Sequence, residues 1–332
     1  MTDAAPLWAS FDAVGFDLDG VLYRGPLPVP GAPEAVRALQ QAGIGIGYVT
    51  NNAARPPQAV VDQLAGFGIS CTAGDIVTSA QATAHIMAAD LPVGAQVLVV
   101  GSQALADEVA AVGLTPVWQR SASTAAIIVG FEPELTWSKL NEGCYAVEQG
   151  AVFYACNNDL TRPTDAGLAV GTGAILLAMA QPLGGKPPIM GGKPARPLLD
   201  EARGRLGAQH PLFVGDRLDT DIEGARVAGW ASLFVLSGSH GPSDLVAAPP
   251  QRRPDFLAAN VGGVLQPARV ASFSNGLWRC GEATAVVNGD VAVITGPQET
   301  EAQRLDALWA LANLAWQCAD DGVSCDATNS LR

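Results

Sequence analysis

The stretch VGFDLDGVLYRG, Val14 to Gly25, ends a short apolar run in two aspartates, Asp17 and Asp19, with one leucine between them. The run reads as a buried strand, and a period of two sets both aspartates on one face at its end. Like charges that close stay ionised only where a cation or hydrogen-bond donors compensate them. Taken alone, the stretch also fits a solvated strand-to-loop junction.

The residues that follow give the pair a context. APEAVRALQQAG places Ala35, Val36, Leu39 and Ala42 on one helical face and stops at Gly43. IGIGYVTNN reads as a second strand, and PPQAVVDQLAGFG as a helix opened by prolines and closed by glycine. Alternation at this spacing implies right-handed crossovers and a parallel sheet. The same rhythm returns in ARPLLDEARGRLG, PLFVGD, DIEGARVAG and ASLFVLSG. The expected fold is α/β: a doubly wound, Rossmann-like core from residues 1–79 and 191–267. Residues 80–190 carry their own alternation (QVLVVG, AAIIVGF, AVFYAC, then the helix GAILLAMAQ) and read as an inserted α/β domain.

After Pro267 the pattern changes to a small α+β extension, residues 268–332. TAVVNGDVAVIT predicts a hairpin turning at Asn288-Gly289. Leu305, Leu308, Trp309, Ala312, Ala315 and Trp316 recur at helical spacing, which predicts a helix packed over that hairpin. The closing DDGVSCDATNSLR is polar and is expected to fray.

Composition bounds the partners. A 332-residue chain that is 48% hydrophobic, with mean hydropathy +0.21, can bury sizeable cores. A net charge of −13 argues against a nucleic-acid groove or an anionic membrane surface as the main partner. It leaves room for a small phosphorylated metabolite, because a bound metal reverses the field locally. Six scattered cysteines without a C-x-x-C pair, an N-terminus without a basic leader and no bilayer-length apolar run predict a cytoplasmic protein. His85, His210 and His240 fall in no motif and read as surface or satisfied core residues.

Three further stretches join the aspartates. VTNN ends the second strand with Thr50 and Asn51, a hydroxyl and an amide able to hold phosphate oxygens; GGKP places Lys193 before a helix. VGDRLDTDI ends another strand with Asp216, then Asp219 and Asp221. Ligands of open parallel sheets bind at the carboxyl ends of strands, so these motifs are expected to converge. An oxygen-only carboxylate cluster suits Mg²⁺ with a substrate phosphate. A carboxylate can then attack phosphorus to give an acyl phosphate, while a second acid protonates the leaving alcohol and activates water.

With DLDGV, VTNN, GGKP and VGDRLDTDI in this order, residues 10–267 resemble the haloacid dehalogenase superfamily. The resemblance implies Asp17 as nucleophile and metal ligand, and Asp19 as general acid/base that ligates through its main-chain carbonyl. It implies Thr50 and Asn51 as phosphate binders and Lys193 as the residue orienting nucleophile and phosphate. Asp216 is implied as a Mg²⁺ ligand and Asp221 as the holder of metal-bound water. Asp219 is left as a solvated acid.

Thr50 follows Asp19 by 31 residues, too few for an inserted domain, and Lys193 follows Thr50 by 143, enough for one. That placement resembles the NagD-like subclass, which carries a C2-type cap and includes phosphoglycolate and pyridoxal-phosphate phosphatases. NNDLTRPTDAG is similar to its cap signature and marks Asn157, Asn158, Asp159 and Thr161 as a substrate loop, with Asn158 where the signature has proline. The extension resembles that of actinobacterial glycerol 3-phosphate phosphatases, whose tail is like part of an acetyltransferase; packing or dimerisation is the simpler role. A homodimer is expected from the subclass. Charge bears on the substrate. Residues 80–190 hold four basic residues (Arg120, Lys139, Arg162, Lys186) against nine acids, including Asp159 and Asp165. That balance favours a neutral polyol over a carboxylate or second phosphate as leaving group. Phosphoglycolate and pyridoxal phosphate are the alternatives within the subclass, and a non-catalytic regulatory protein acting through the tail is the alternative outside it.

Overall fold

The computed structural model describes residues 5–164 and 166–327. Asp165, counted among the acids above, and residues 328–332 lie outside them. The chain divides into two compact units, Met1–Ile46 with Ala208–Arg332, and Gly47–Gly207.

In the first unit four parallel strands lie in the order Phe256–Ala258, Ala231–Val235, Pro211–Gly215, Ala13–Phe16, with Ala13 opposite Pro211 and Phe16 opposite Val214. Ala13–Phe16 and Pro211–Gly215 are buried at every position, as continuous apolar runs covered on both faces must be. The helix Ala32–Gln41 buries Ala32, Ala35, Val36 and Leu39. Ala42, expected on that face, is its exposed C-cap, because the helix ends one residue earlier.

The C-terminal extension belongs to this unit. Its antiparallel sheet runs in the order Ser272–Ser274, Leu277–Cys280, Ala283–Asn288, Val291–Thr295. The expected hairpin is present, but Asn288 pairs with Val291, so the two-residue turn is Gly289-Asp290. Gly289 has φ +63°, the left-handed conformation such a turn needs. The helix Glu301–Asp321 starts in a capping box between Thr300 and Gln303 and lies on this sheet. Its buried face holds Leu305, Leu308, Trp309, Ala312 and Trp316, with the two indoles edge to face at 5.5 Å. The segment expected to fray is pinned at Asp326, whose N–H donates to Asp290 O at 2.7 Å and whose carbonyl accepts Ala292 N–H at 3.0 Å.

The second unit pairs the strand ending in Thr50 with Ile76–Thr78, Thr50 opposite Thr78. It also holds a five-stranded parallel sheet, ordered Ile189–Met190, Val152–Ala155, Thr124–Val129, Gln96–Val100, Thr115–Val117. Val97 and Val99 pack with the helices Ser79–Asp90 and Gln103–Ala111. Leu98 and Val100 pack on the other face, with Trp137–Glu148 and Thr172–Ala180. One apolar strand thus feeds two cores by its period of two, and the sheet is doubly wound. A short hairpin, Thr161–Thr164 with Gly167–Val170, follows Asp159. No helix among the described residues is long and apolar enough to cross a membrane.

Candidate active site

The two aspartates of the opening stretch leave their strand in different settings. Asp17 continues the ladder by donating its N–H to Val214 O at 2.9 Å. Leu18 turns inward and is buried, while Asp19 is exposed and bridges to Tyr23. The adjacent strand Pro211–Gly215 delivers Asp216 beside Asp17. Carboxylate oxygens of Asp17, Asp216 and Asp221 lie within 4.8 Å of one another. Three acids so close, two of them almost fully buried, repel strongly. Burial, and then the charge of Asp221, push the Asp216 carboxyl up to about 7.

The loop around these acids is built to hold them. A single turn of π-helix, Leu218–Ile222, folds Asp221 back so that Oδ2 accepts the N–H groups of Asp216 and Arg217, each at 3.1 Å. The segment 237–241 closes the other side: Ser239 N–H donates to Asp216 Oδ2 at 2.6 Å, and Ser237 Oγ donates to Gly20 O at 2.6 Å. Gly20 and Gly238 press on the Asp216 carboxylate so closely that a Cβ on either would overlap it, and Gly20 also has φ +88°. Asp216 Oδ1 stays buried without a hydrogen-bond partner. An unsatisfied buried carboxylate oxygen among like charges is the donor set of a hard divalent cation, and the oxygen-only chemistry fits Mg²⁺. Asp219 is not merely solvated: it pairs with Arg217 at 3.0 Å and faces His240 at 3.9 Å. Among the expected residues, the first unit therefore gathers Asp17, Asp216 and Asp221, with Asp19 two residues from Asp17.

The second unit gathers the rest. Lys193 is almost completely buried, and its Nζ points at Val49 O at 3.5 Å. Its main chain is clamped by Asn51: the side-chain oxygen accepts Lys193 N–H at 2.9 Å and the side-chain N–H₂ donates to Lys193 O at 3.1 Å. Asn51 O in turn accepts from Ser79 Oγ at 2.7 Å and Asn157 Nδ2 at 2.8 Å. Thr50 Oγ1 accepts Asn52 N–H at 3.1 Å, which orients its hydroxyl. Of the expected substrate loop, Asn157 is buried and structural, and Asp159 lies 3.4 Å from the Asn51 amide. Asn158 and Thr161 are exposed.

Several contributors are absent from the motif reading. Ser239 acts through its main-chain N–H, Ser237 through its hydroxyl and His240 through both its N–H and its ring, whose Nδ1 accepts Leu218 N–H at 2.9 Å. The sequence signal available for them was SGSHG directly after a buried strand, the same position that the acids occupy after theirs.

Known proteins align with this arrangement. A haloacid dehalogenase-like hydrolase model matches residues 14–115, and a HAD-hydrolase-like model matches residues 190–264. D-glycerol 3-phosphate phosphatase of Mycobacterium tuberculosis is 40% identical over 285 residues, 84% of this chain and 80% of that protein. A 5′-nucleotidase of Bacillus subtilis is 33% identical over 224 residues, 67% of this chain and 86% of that protein. The crystal structure of the M. tuberculosis glycerol phosphate phosphatase in complex with magnesium superposes with a TM-score of 0.85. It is 36% identical and covers 95% of this chain and 93% of that one.

Proposed function

The chain belongs to the haloacid dehalogenase-like hydrolases, and from that premise we propose that it is a Mg²⁺-dependent phosphomonoesterase acting on glycerol 3-phosphate. The observation that carries the chemistry is the cluster of Asp17, Asp216 and Asp221 with its unpartnered Asp216 oxygen. Asp17, Asp216 and the main-chain carbonyl of Asp19 would hold the metal, with Asp221 beside them. When bound, the ion neutralises charge on the phosphoryl oxygens.

Asp17 attacks phosphorus and forms an aspartyl phosphate as the bond to the leaving alcohol breaks. Asp19 gives that alcohol its proton, then takes one from the water that hydrolyses the acyl phosphate and returns Asp17. Lys193 and the Thr50 hydroxyl bind phosphoryl oxygens. The Asn51 side chain is spent on Lys193, so its own part in phosphate binding falls to the main chain. Residues 80–190 serve as the substrate-specificity domain inserted in a core of 1–79 and 191–267, with 268–332 as an appended extension.

Charge supports a polyol substrate. Arg120 pairs with Glu142 at 3.2 Å, Lys139 donates to Gly101 O at 2.9 Å, and Arg162 stacks on Phe131 at 4.4 Å. Three of the four cations in 80–190 are thus already engaged, and few remain for a second anionic group. Asn158, Asp159 and Thr161 suit the hydroxyls of glycerol. The protein would work in a reducing cytoplasm, where its six free cysteines stay reduced, and as a homodimer, which light scattering checks. The deciding experiment compares kcat/KM for glycerol 3-phosphate, phosphoglycolate, pyridoxal phosphate and a nucleoside monophosphate. Glycerol 3-phosphate is expected to lead. A lead of about tenfold for phosphoglycolate, equivalent to about 1.4 kcal/mol in transition-state binding, would defeat the substrate assignment and leave the phosphatase standing.

A further inference from the structure

A chain of hydrogen bonds joins the C-terminal helix to the carboxylate cluster, entirely within the first unit. Trp316 is buried on the helix Glu301–Asp321 and donates its indole N–H to Leu245 O at 2.9 Å. Leu245, itself fully buried, sits in the short helix Pro242–Val246, which the segment 237–241 enters. That segment supplies Ser239 N–H to Asp216 Oδ2 at 2.6 Å and His240 N–H to Asp216 O at 3.3 Å. It also holds the next loop, because His240 Nδ1 accepts Leu218 N–H.

Packing follows the same route. Leu218 and Ile222, on either side of Asp219 and Asp221, share one apolar cluster with Leu245, Trp309 and Trp316. Arg253 fastens the junction from its solvent side: it pairs with Asp320, donates to Ala248 O at 3.2 Å and lies 5.6 Å from the Trp316 ring. The extension therefore meets the loops that carry the acids, although it contributes no acid of its own to the cluster.

We infer that the extension is a positioning element for the carboxylate cluster, with Trp316 as its positioning residue. The inference rests on the reading of that cluster as a Mg²⁺ site. Its physical basis is tolerance: a coordinating group must be held to about half an ångström, and Asp216 Oδ2 is fixed by a main-chain N–H whose segment ends in the helix that Trp316 grips. A phenylalanine fills most of the indole's space but removes the one side-chain donor to the Leu245 carbonyl, leaving it Ala248 N–H at 3.1 Å, so the 237–241 segment gains freedom while the core stays filled.

The test uses the full chain and measures Mg²⁺ binding by calorimetry without substrate, then kcat and KM. Trp316→Phe is expected to weaken Mg²⁺ binding by about three- to tenfold, the range covered by one lost hydrogen bond. KM at saturating Mg²⁺ is expected to stay near the wild-type value. Trp309→Phe keeps an aromatic ring against Trp316 and removes none of these hydrogen bonds, so it is expected to bind Mg²⁺ as wild type does. Arg253→Met loosens the same junction and should shift Mg²⁺ affinity in the same direction, which covers poor accumulation of Trp316→Phe. Equal Mg²⁺ affinity in wild type, Trp316→Phe and Arg253→Met would overturn the inference, as would an equal loss in the Trp309 and Trp316 variants. A wild-type protein that binds no Mg²⁺ would defeat the reading of the site, and this inference with it.

Discussion

One oxygen of Asp221 accepts the main-chain N–H of Asp216 at 3.1 Å, so the acid that repels the Asp216 carboxylate also holds Asp216 in place. Repulsion between charges and attraction between backbone and side chain balance at one pair of residues. A cation is the natural third member, and each disturbance of the pair has a distinct readout.

The nucleophile is the first. Asp17→Asn keeps size and removes the attacking charge, so kcat on p-nitrophenyl phosphate should fall by at least about three orders of magnitude, on the order of 4 kcal/mol in the barrier. Asp19→Asn should slow protonation and hydrolysis instead and allow a phospho-enzyme to accumulate, visible by acid quench with ³²P-labelled substrate. Turnover of Asp17→Asn at the wild-type rate would remove Asp17 from its role.

Metal removal is the second. EDTA should abolish activity and Mg²⁺ restore it. Ca²⁺ should inhibit, because its larger and looser coordination misplaces the attacking oxygen. Undiminished activity in demonstrably metal-free protein would contradict the mechanism.

Gly238→Ala probes the cradle. The added methyl would overlap the Asp216 carboxylate and its Cβ, with little room to retreat inside a packed loop. Mg²⁺ affinity should drop by at least about tenfold, or about 1.4 kcal/mol. Calorimetry on the folded variant checks it; an unchanged Kd would show that the loop yields freely.

Asn51→Ala probes the lysine. With both hydrogen bonds to the Lys193 main chain gone, the ammonium should lose its fixed position and kcat should fall by on the order of a hundredfold, typical of a reacting group displaced by about an ångström. Mg²⁺ affinity should be unaffected, a split opposite to that expected of Gly238→Ala.

Trp309→Ala tests the extension as structure. Emptying a buried indole site should lower stability by about 3–5 kcal/mol, read from urea unfolding. Truncation after Pro267 would strip cover from Phe234, Leu245 and Leu257, which share the cluster of Trp309. Aggregation rather than a smaller working enzyme is the expected result.

The strands Ala13–Phe16 and Pro211–Gly215 were legible in sequence because burial on both faces leaves an unbroken apolar run. Asp17 and Asp216 were legible because they end those runs. Ser272–Ser274 and Leu277–Cys280 were not: they are short and laced with polar residues, the first is exposed at every position and the second is fully buried only at Cys280. The turn at Gly289-Asp290 was misplaced by one residue, since Asn-Gly also satisfies the usual hairpin preference. Ser239 and His240 escaped because main-chain N–H groups, which any residue carries, do much of their work. The Asn51 amide was assigned to phosphate by its type, whereas its orientation toward Lys193 depends on a chain segment 142 residues away.

Ala13 pairs with Pro211, so the first strand of the chain waits for a neighbour nearly two hundred residues downstream. At a synthesis rate of about 5–20 residues per second, that wait lasts on the order of 10–40 s. Closing so long a loop adds entropy cost only slowly with length, yet it must be met before the contact returns anything. On the proposed mechanism Asp17 leaves the ribosome early and lacks its metal-binding neighbour until Asp216 emerges, about two thirds of the way along the chain. Hydrolysis of phosphate esters by the nascent chain is therefore not expected before that point, and the extension must follow before the fold is covered.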